Sequence, residues 1–117
     1  MNICIIGDGL TSLSLAKNFI NKNINVHIYY ENIVGSFSSN RTIGMSKTNL
    51  EFFEKNIIKL PKKIKWEIKR IEIYSEKLKN DKILNFENNN NNLFYMIKNN
   101  ELYKLLNYKL SKNKLFK

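Results

Sequence analysis
Four uninterrupted apolar residues, Ile3 to Ile6, open the chain directly after Asn2 and stop at Gly7. A short unbroken apolar run suits a strand covered on both faces, as in a parallel sheet. Leu10, Leu13, Ala16 and Ile20 then recur at helical spacing, with Leu15 and Phe19 widening the stripe and Lys17 and Lys22 on the other side. Asn21 to Asn25 reads as the following turn. Val26 to Tyr30 is β-branched and aromatic and predicts a second strand. Strand, helix, strand within some thirty residues is one βαβ unit.

Beyond it the pattern changes. Residues 32–45, rich in Gly and Ser, predict an irregular connection. Ser46 is placed to cap a helix that carries Leu50, Phe53 and Ile57 on one face. Pro61 and the Lys62-Lys63 pair interrupt. Ile68, Ile71 and Ile73, then Ile83, Leu84 and Phe86, predict two strands around a turn at Lys79 to Lys82. The Asn88–Asn92 run is low-complexity and reads as a loop. Leu93 to Ile97 is a further β-like stretch. Asn99 or Asn100 can cap a last helix with Leu102, Leu105, Leu106 and Leu110 on one side. The expected class is α/β: a Rossmann-like βαβ unit (1–31), a loop and helix (32–67), a small strand-rich insert (68–98) and a helix (99–113). Such a parallel sheet needs a third strand after the last helix. With the chain ending at Lys117, the reading is an incomplete domain, the amino-terminal part of a larger one.

Composition changes this picture little. Lys, Asn and Ile supply 54 of 117 residues, a bias that accompanies coding DNA poor in G and C. The net charge is +10, yet 18 of the 20 basic residues are scattered Lys and two are Arg. Nucleic-acid binders cluster basic residues and use Arg forks for base contacts, so nucleic acid is not an expected partner. Cys4, the one cysteine, sits in the first apolar run and is expected in the core. Met1 leads straight into a strand, and no apolar run approaches the ~20 residues of a membrane span. A cytoplasmic protein is expected, with peripheral association at the inner membrane as the second expectation. No spacing suggests a metal site. His27 lies mid-strand, and no residue is a credible acid, base or nucleophile, so no catalytic residue is assigned.

Chemistry concentrates in the turn Gly7-Asp8-Gly9-Leu10-Thr11-Ser12, a G-x-G-x-x-G pattern with Ser in the third place. Gly7 permits a tight exit from the strand. Gly9, lacking Cβ, allows a pyrophosphate to approach the backbone. Ser12 is small enough where helix meets sheet. The helix starting at Leu10 and Thr11 offers free amides and a positive dipole end to phosphates. Glu31, 19 residues after Ser12, ends the second strand, where a carboxylate accepts hydrogen bonds from ribose hydroxyls. That acid disfavours a 2′-phosphorylated cofactor at this site. The fingerprint does not by itself separate FAD from NAD.

The segments "GDGLTSLSLAKNFINKNINVHIYYE" and "RTIGMSKTNLEFFEK" resemble the amino-terminal part of FAD-dependent aromatic-ring monooxygenases, in particular the ubiquinone-biosynthesis hydroxylases. Beyond residue 60 the resemblance rests on the order of elements, through "IKRIEIYSE", "LFYMIK" and "NNELYKLLNYKL". It implies FAD as cofactor, held by Gly7, Gly9, Leu10, Thr11, Ser12, Glu31 and Arg41. Here Arg41 matches the family's arginine that lies along the flavin nucleotide. Asn100 or Glu101 stands where that family has a polar flavin contact. It further implies NAD(P)H as co-substrate and an aromatic substrate hydroxylated with O2 in a complete enzyme. This portion alone is expected to be inactive, because the family's later Asp-Gly and Gly-Asp motifs have no counterpart here. Two other readings stand beside it: an NAD-binding module of a dehydrogenase or regulatory domain, and a degenerate domain that folds only with a partner chain.

Overall fold
A computed structural model of the chain describes residues 1–31, 41–78, 81–87 and 92–117. β1 (Asn2–Ile6), α1 (Leu10–Asn21) and β2 (Asn25–Tyr29) form the expected βαβ unit. β1 and β2 run parallel, in register from Asn2 opposite Asn25 to Ile6 opposite Tyr29. The register is marked at its start by Asn25 Nδ2 donating to Asn2 Oδ1 at 2.9 Å. α1 ends through Asn23, a non-glycine residue in the left-handed region (φ 59°), where Asn is among the better-tolerated side chains.

The rest of the chain adds β3 (Thr42–Ser46), α2 (Lys47–Asn56), β4 (Lys65–Ile68), β5 (Arg70–Tyr74), β6 (Lys82–Glu87), β7 (Phe94–Lys98) and α3 (Asn99–Ser111). Ser46 caps α2 as its position predicts, its Oγ accepting from the Asn49 amide at 3.2 Å. β7 is the centre of an antiparallel sheet in the order β3-β7-β4, while β5 and β6 form a separate two-stranded ribbon.

Several expectations need correction. Thr42–Ser46 is a strand, though all of it but Ser46 falls within the span 32–45 read as irregular. Ile43 and Met45 alternate toward the core there, and β7 supplies the partner strand from far along the chain, Thr42 pairing with Lys98 and Ser46 with Phe94. Residues 32–40 of that span lie outside the described residues. Ile68 does not belong with Ile71 and Ile73. It ends β4, which pairs with β7, and Lys69 separates it from β5. α3 is capped by Lys98, with no side-chain cap bond, so neither Asn99 nor Asn100 is the cap. Residues 79, 80 and 88–91, parts of the expected turn and of the Asn run, lie outside the described residues.

A short segment after the last helix bonds to the free edge of β2. Val26 N–H donates to Leu115 O at 2.9 Å, Lys117 N–H to Val26 O at 3.0 Å and Ile28 N–H to Lys117 O at 2.8 Å. Residues 115–117 thus lie parallel to β2, on its side away from β1. Named strands in this sheet remain two, so the strand order alone does not establish a doubly wound sheet.

The core sits between this sheet and two helices. Leu13, Ala16 and Ile20 of α1 and Leu102, Leu106 and Leu110 of α3 are almost wholly buried, with Val26, Ile5 and Ile97. Each buried Leu or Ile stabilises the fold by roughly 1.5–3 kcal/mol relative to exposure. Leu50 and Phe53 of α2, with Leu60 and Ile64, extend the same core. The opposite face of the sheet is a different matter. Cys4, expected in the core, is exposed, and Ile6 is 86% exposed. Strand alternation turns Ile3 and Ile5 toward the helices and Cys4 and Ile6 away. Among the described residues nothing covers that second face.

Candidate functional site
The glycine turn joins the carboxyl end of β1 to α1. Gly7 has φ +101°, a conformation side chains rarely adopt, and its amide donates to Tyr29 O at 2.8 Å. This bond carries the pairing of β1 and β2 one residue past the strand end. The requirement for glycine at position 7 is therefore conformational. Ser12 lies behind it, its Oγ 3.7 Å from where a Gly7 Cβ would stand.

Gly9 is different in kind. It is the N-cap of α1, with φ −66° and ψ 169°, angles open to any residue. Among the described residues a Cβ added there would meet nothing within 4 Å. Neither these backbone angles nor the packing of the described residues calls for glycine at 9. The cap has no side-chain hydrogen bond, and the first intrahelical bond is Leu13 N–H to Gly9 O at 3.0 Å. The amides of Leu10, Thr11 and Ser12 therefore have no helical carbonyl to pair with and form the positive end of the α1 dipole. No acidic side chain occupies that first turn.

A cavity of about 200 Å³ opens beside this turn. Leu13, Ile28 and Phe116 give it an apolar lining. Its polar groups come from four places: Asp8 of the turn, Tyr30 just past β2, Tyr103 and Asn107 one turn apart on α3, and Lys117 at the chain end. Tyr103 Oη donates to Asp8 Oδ2 at 3.1 Å, tying α3 to the glycine turn across 95 residues. Burial pushes the Tyr103 hydroxyl above its ordinary range, and the Asp8 carboxylate adds to the shift against an opposing Asn107 hydrogen bond. The phenol thus stays protonated and keeps donating at neutral pH. Sequence reasoning passed over Asp8, Tyr103 and Asn107. The available signal was a charged residue between the two glycines.

Two further expected contacts lie outside this cavity's lining. Glu31 is exposed, two residues beyond the last residue of β2. Tyr30, its neighbour, reaches the cavity. Arg41 is exposed at the head of β3, where its carbonyl accepts from the Asn99 amide at 2.9 Å. That bond brings the start of α3 to Arg41, and the side-chain oxygens of Asn99 and Asn100 are buried with no hydrogen-bond partner among the described residues. Among the described residues no three His, Cys, Asp or Glu side chains converge as a metal site, and no helix is long and apolar enough to cross a membrane.

No family model and no curated protein matches the chain in sequence. A solved structure does match in shape. The chain has the fold of part of a hydroxylase. Over 98% of its length it superposes on the 2,6-dihydroxypyridine-3-hydroxylase of Arthrobacter nicotinovorans with a TM-score of 0.61, at 14% identity. It spans 28% of that protein. At this identity the likeness speaks for the architecture, a mixed α/β fold with small sheets like that of part of the hydroxylase.

Proposed function
We propose that the chain is the cofactor-binding part of a flavin-dependent monooxygenase of aromatic rings, holding FAD along the turn between β1 and α1. The observation that carries this reading is Gly9: a glycine that neither its backbone angles nor the described residues demand, at an uncapped helix terminus, with space free of described residues where its side chain would be. The pyrophosphate lies against the amides of Gly9, Leu10, Thr11 and Ser12 and gains from the α1 dipole. Glu31 accepts from the ribose hydroxyls, and Arg41 offers its guanidinium to the phosphate or ribitol region. When bound, the flavin supplies the redox chemistry, and these residues hold and orient it. The likeness to a hydroxylase of a dihydroxypyridine supports the class of reaction. NAD(P)H as reductant, O2 and an aromatic ring as co-substrates, and a place in ubiquinone biosynthesis at the periphery of the inner membrane complete the proposal for the whole enzyme. The alternative of an NAD-binding module fits less well, because antiparallel β3, β4 and β7 follow β2 in place of further βα units.

The test is titration of the purified chain with FAD, followed by flavin fluorescence and by co-elution of visible absorbance in gel filtration, with NAD in parallel. Saturable quenching and co-elution are expected for FAD. Flavin that elutes free with unaltered fluorescence would overturn the proposal, and retention of NAD alone would favour the alternative.

A further inference from the structure
We propose that the cavity between the start of α3 and the turn after Pro61 binds a monocarboxylate with an aliphatic body, the chemical class of a medium-chain fatty acid. α3 borders two cavities. Tyr103 and Asn107 line the one beside the glycine turn, whereas Glu101, Lys104 and Leu105, on a different face of the helix, line a second of about 410 Å³. Pro61, Lys63 and Ile64 form its other wall. None of Gly7, Gly9, Ser12, Glu31 and Arg41 contributes to it, so the proposal does not depend on the reading of the glycine turn. Its volume falls within the 300–1,000 Å³ usual for small-molecule sites.

Two features of the lining select the ligand. The first is its aliphatic part. Pro61, Ile64 and Leu105 carry no polar side-chain group and come from both walls. Ile64 is rooted in the core at 6% exposure, so packing fixes that wall, while Leu105 is half-buried. An alkyl chain between the walls takes apolar surface out of water on both sides. No aromatic side chain among the described residues lines the cavity, so a flat ring finds no stacking partner. The second feature is charge. Lys63 brings an ammonium from one wall and Lys104 from the other, against the single carboxylate of Glu101. None of the three forms an ion pair among the described residues. A carboxylate between the two lysines accepts charge-assisted hydrogen bonds from both. Glu101 opposes a second negative charge, and a cationic amphiphile meets two like charges against one of opposite sign.

The experiment is calorimetric titration of the full chain with octanoate, and with 1-octanol, octylamine and octanedioate in parallel. Octanoate is expected to bind on the order of tenfold tighter than octanol or octanedioate, with octylamine weakest. Added salt should weaken octanoate and leave octanol nearly unchanged. K63Q and K104Q should each lower octanoate affinity severalfold, and E101Q should raise it and relax the discrimination against octanedioate. Melting curves of the variants identify any loss of fold, and the ranking of the four ligands on the unaltered chain needs no variant. FAD titrated in the presence of octanoate should bind as it does without it. Absence of octanoate binding, equal affinity for octanoate, octanol and octylamine, or an affinity that survives K63Q and K104Q combined overturns the proposal. Competition between octanoate and FAD overturns it too, because the acid would then occupy the dinucleotide site. Failure of FAD alone to bind overturns the reading of the glycine turn and leaves the carboxylate cavity standing.

Discussion

Replacing Gly9 separates binding from folding, because the two effects have different sources. In Gly9→Ala the new methyl group enters open space at permitted backbone angles. Removing the glycine's freedom in the unfolded chain stabilises by about 0.4–1 kcal/mol. Alanine is a poorer N-cap than glycine, which costs roughly 0.5–1 kcal/mol. The terms oppose and nearly cancel, so urea unfolding should give a stability within about 0.5 kcal/mol of the parent. Binding has no such compensation. The methyl stands where a phosphate oxygen would meet the amides, and one lost charge-assisted hydrogen bond costs about 1.5–3 kcal/mol. FAD affinity, read by fluorescence quenching, should fall roughly tenfold to a hundredfold. Gly9→Val, with two more methyl groups, should abolish it. Undiminished FAD binding by Gly9→Val would refute the placement of the phosphates, and a large loss of stability in Gly9→Ala would mean that glycine serves the fold.

Further expectations concern the fold itself. Gly7→Ala, at φ +101°, should destabilise by roughly 1–3 kcal/mol in urea whether or not cofactor is present. Leu106→Ala removes a wholly buried side chain and should cost about 2–5 kcal/mol, whereas Ile73→Ala on the exposed ribbon should cost under about 1 kcal/mol. Burial works to raise the Glu54 carboxyl, but Lys65 Nζ at 2.7 Å and the Leu60 amide at 3.1 Å outweigh it and hold it below its usual range. A lowered native value stabilises above the ordinary carboxylate range and is lost as pH falls through the native one. The stability difference between the parent and Glu54→Gln, about 1 kcal/mol at neutral pH, should therefore disappear under acid titration below about pH 4. Cys4 should react with an aromatic disulfide reagent in the folded chain nearly as fast as in urea. Strong protection would mean that the second face of the sheet is covered.

Local pattern revealed the elements whose signal is local. Helical spacing from Leu10 to Ile20, the Ser46 cap and the leucines of α3 each lie within a dozen residues and were legible. What failed depends on distant partners. β3 becomes a strand because β7 offers it a ladder, and Ile68 goes with Trp66 because both pair across β7. The apolar run 3–6 implies two covered faces, but coverage belongs to whatever packs there, and the helices take one. Residues 115–117 are too few to show any period. The site divides the same way. Gly7, Gly9 and Ser12 could be named from spacing, while the link from Tyr103 to Asp8 joins two ends of the sequence that no short-range pattern connects.

The ribbon of β5 and β6 pairs chiefly with itself, and every residue of β6 is exposed. Its cross-strand pairs, Ile71 with Phe86 and Ile73 with Leu84, hold it in register without drawing on the core. Evolutionary drift in and around this hairpin is thereby insulated from the helices and from the glycine turn. Changes in the length of the asparagine tract that follows Glu87 are therefore expected to leave the helices and the glycine turn unchanged.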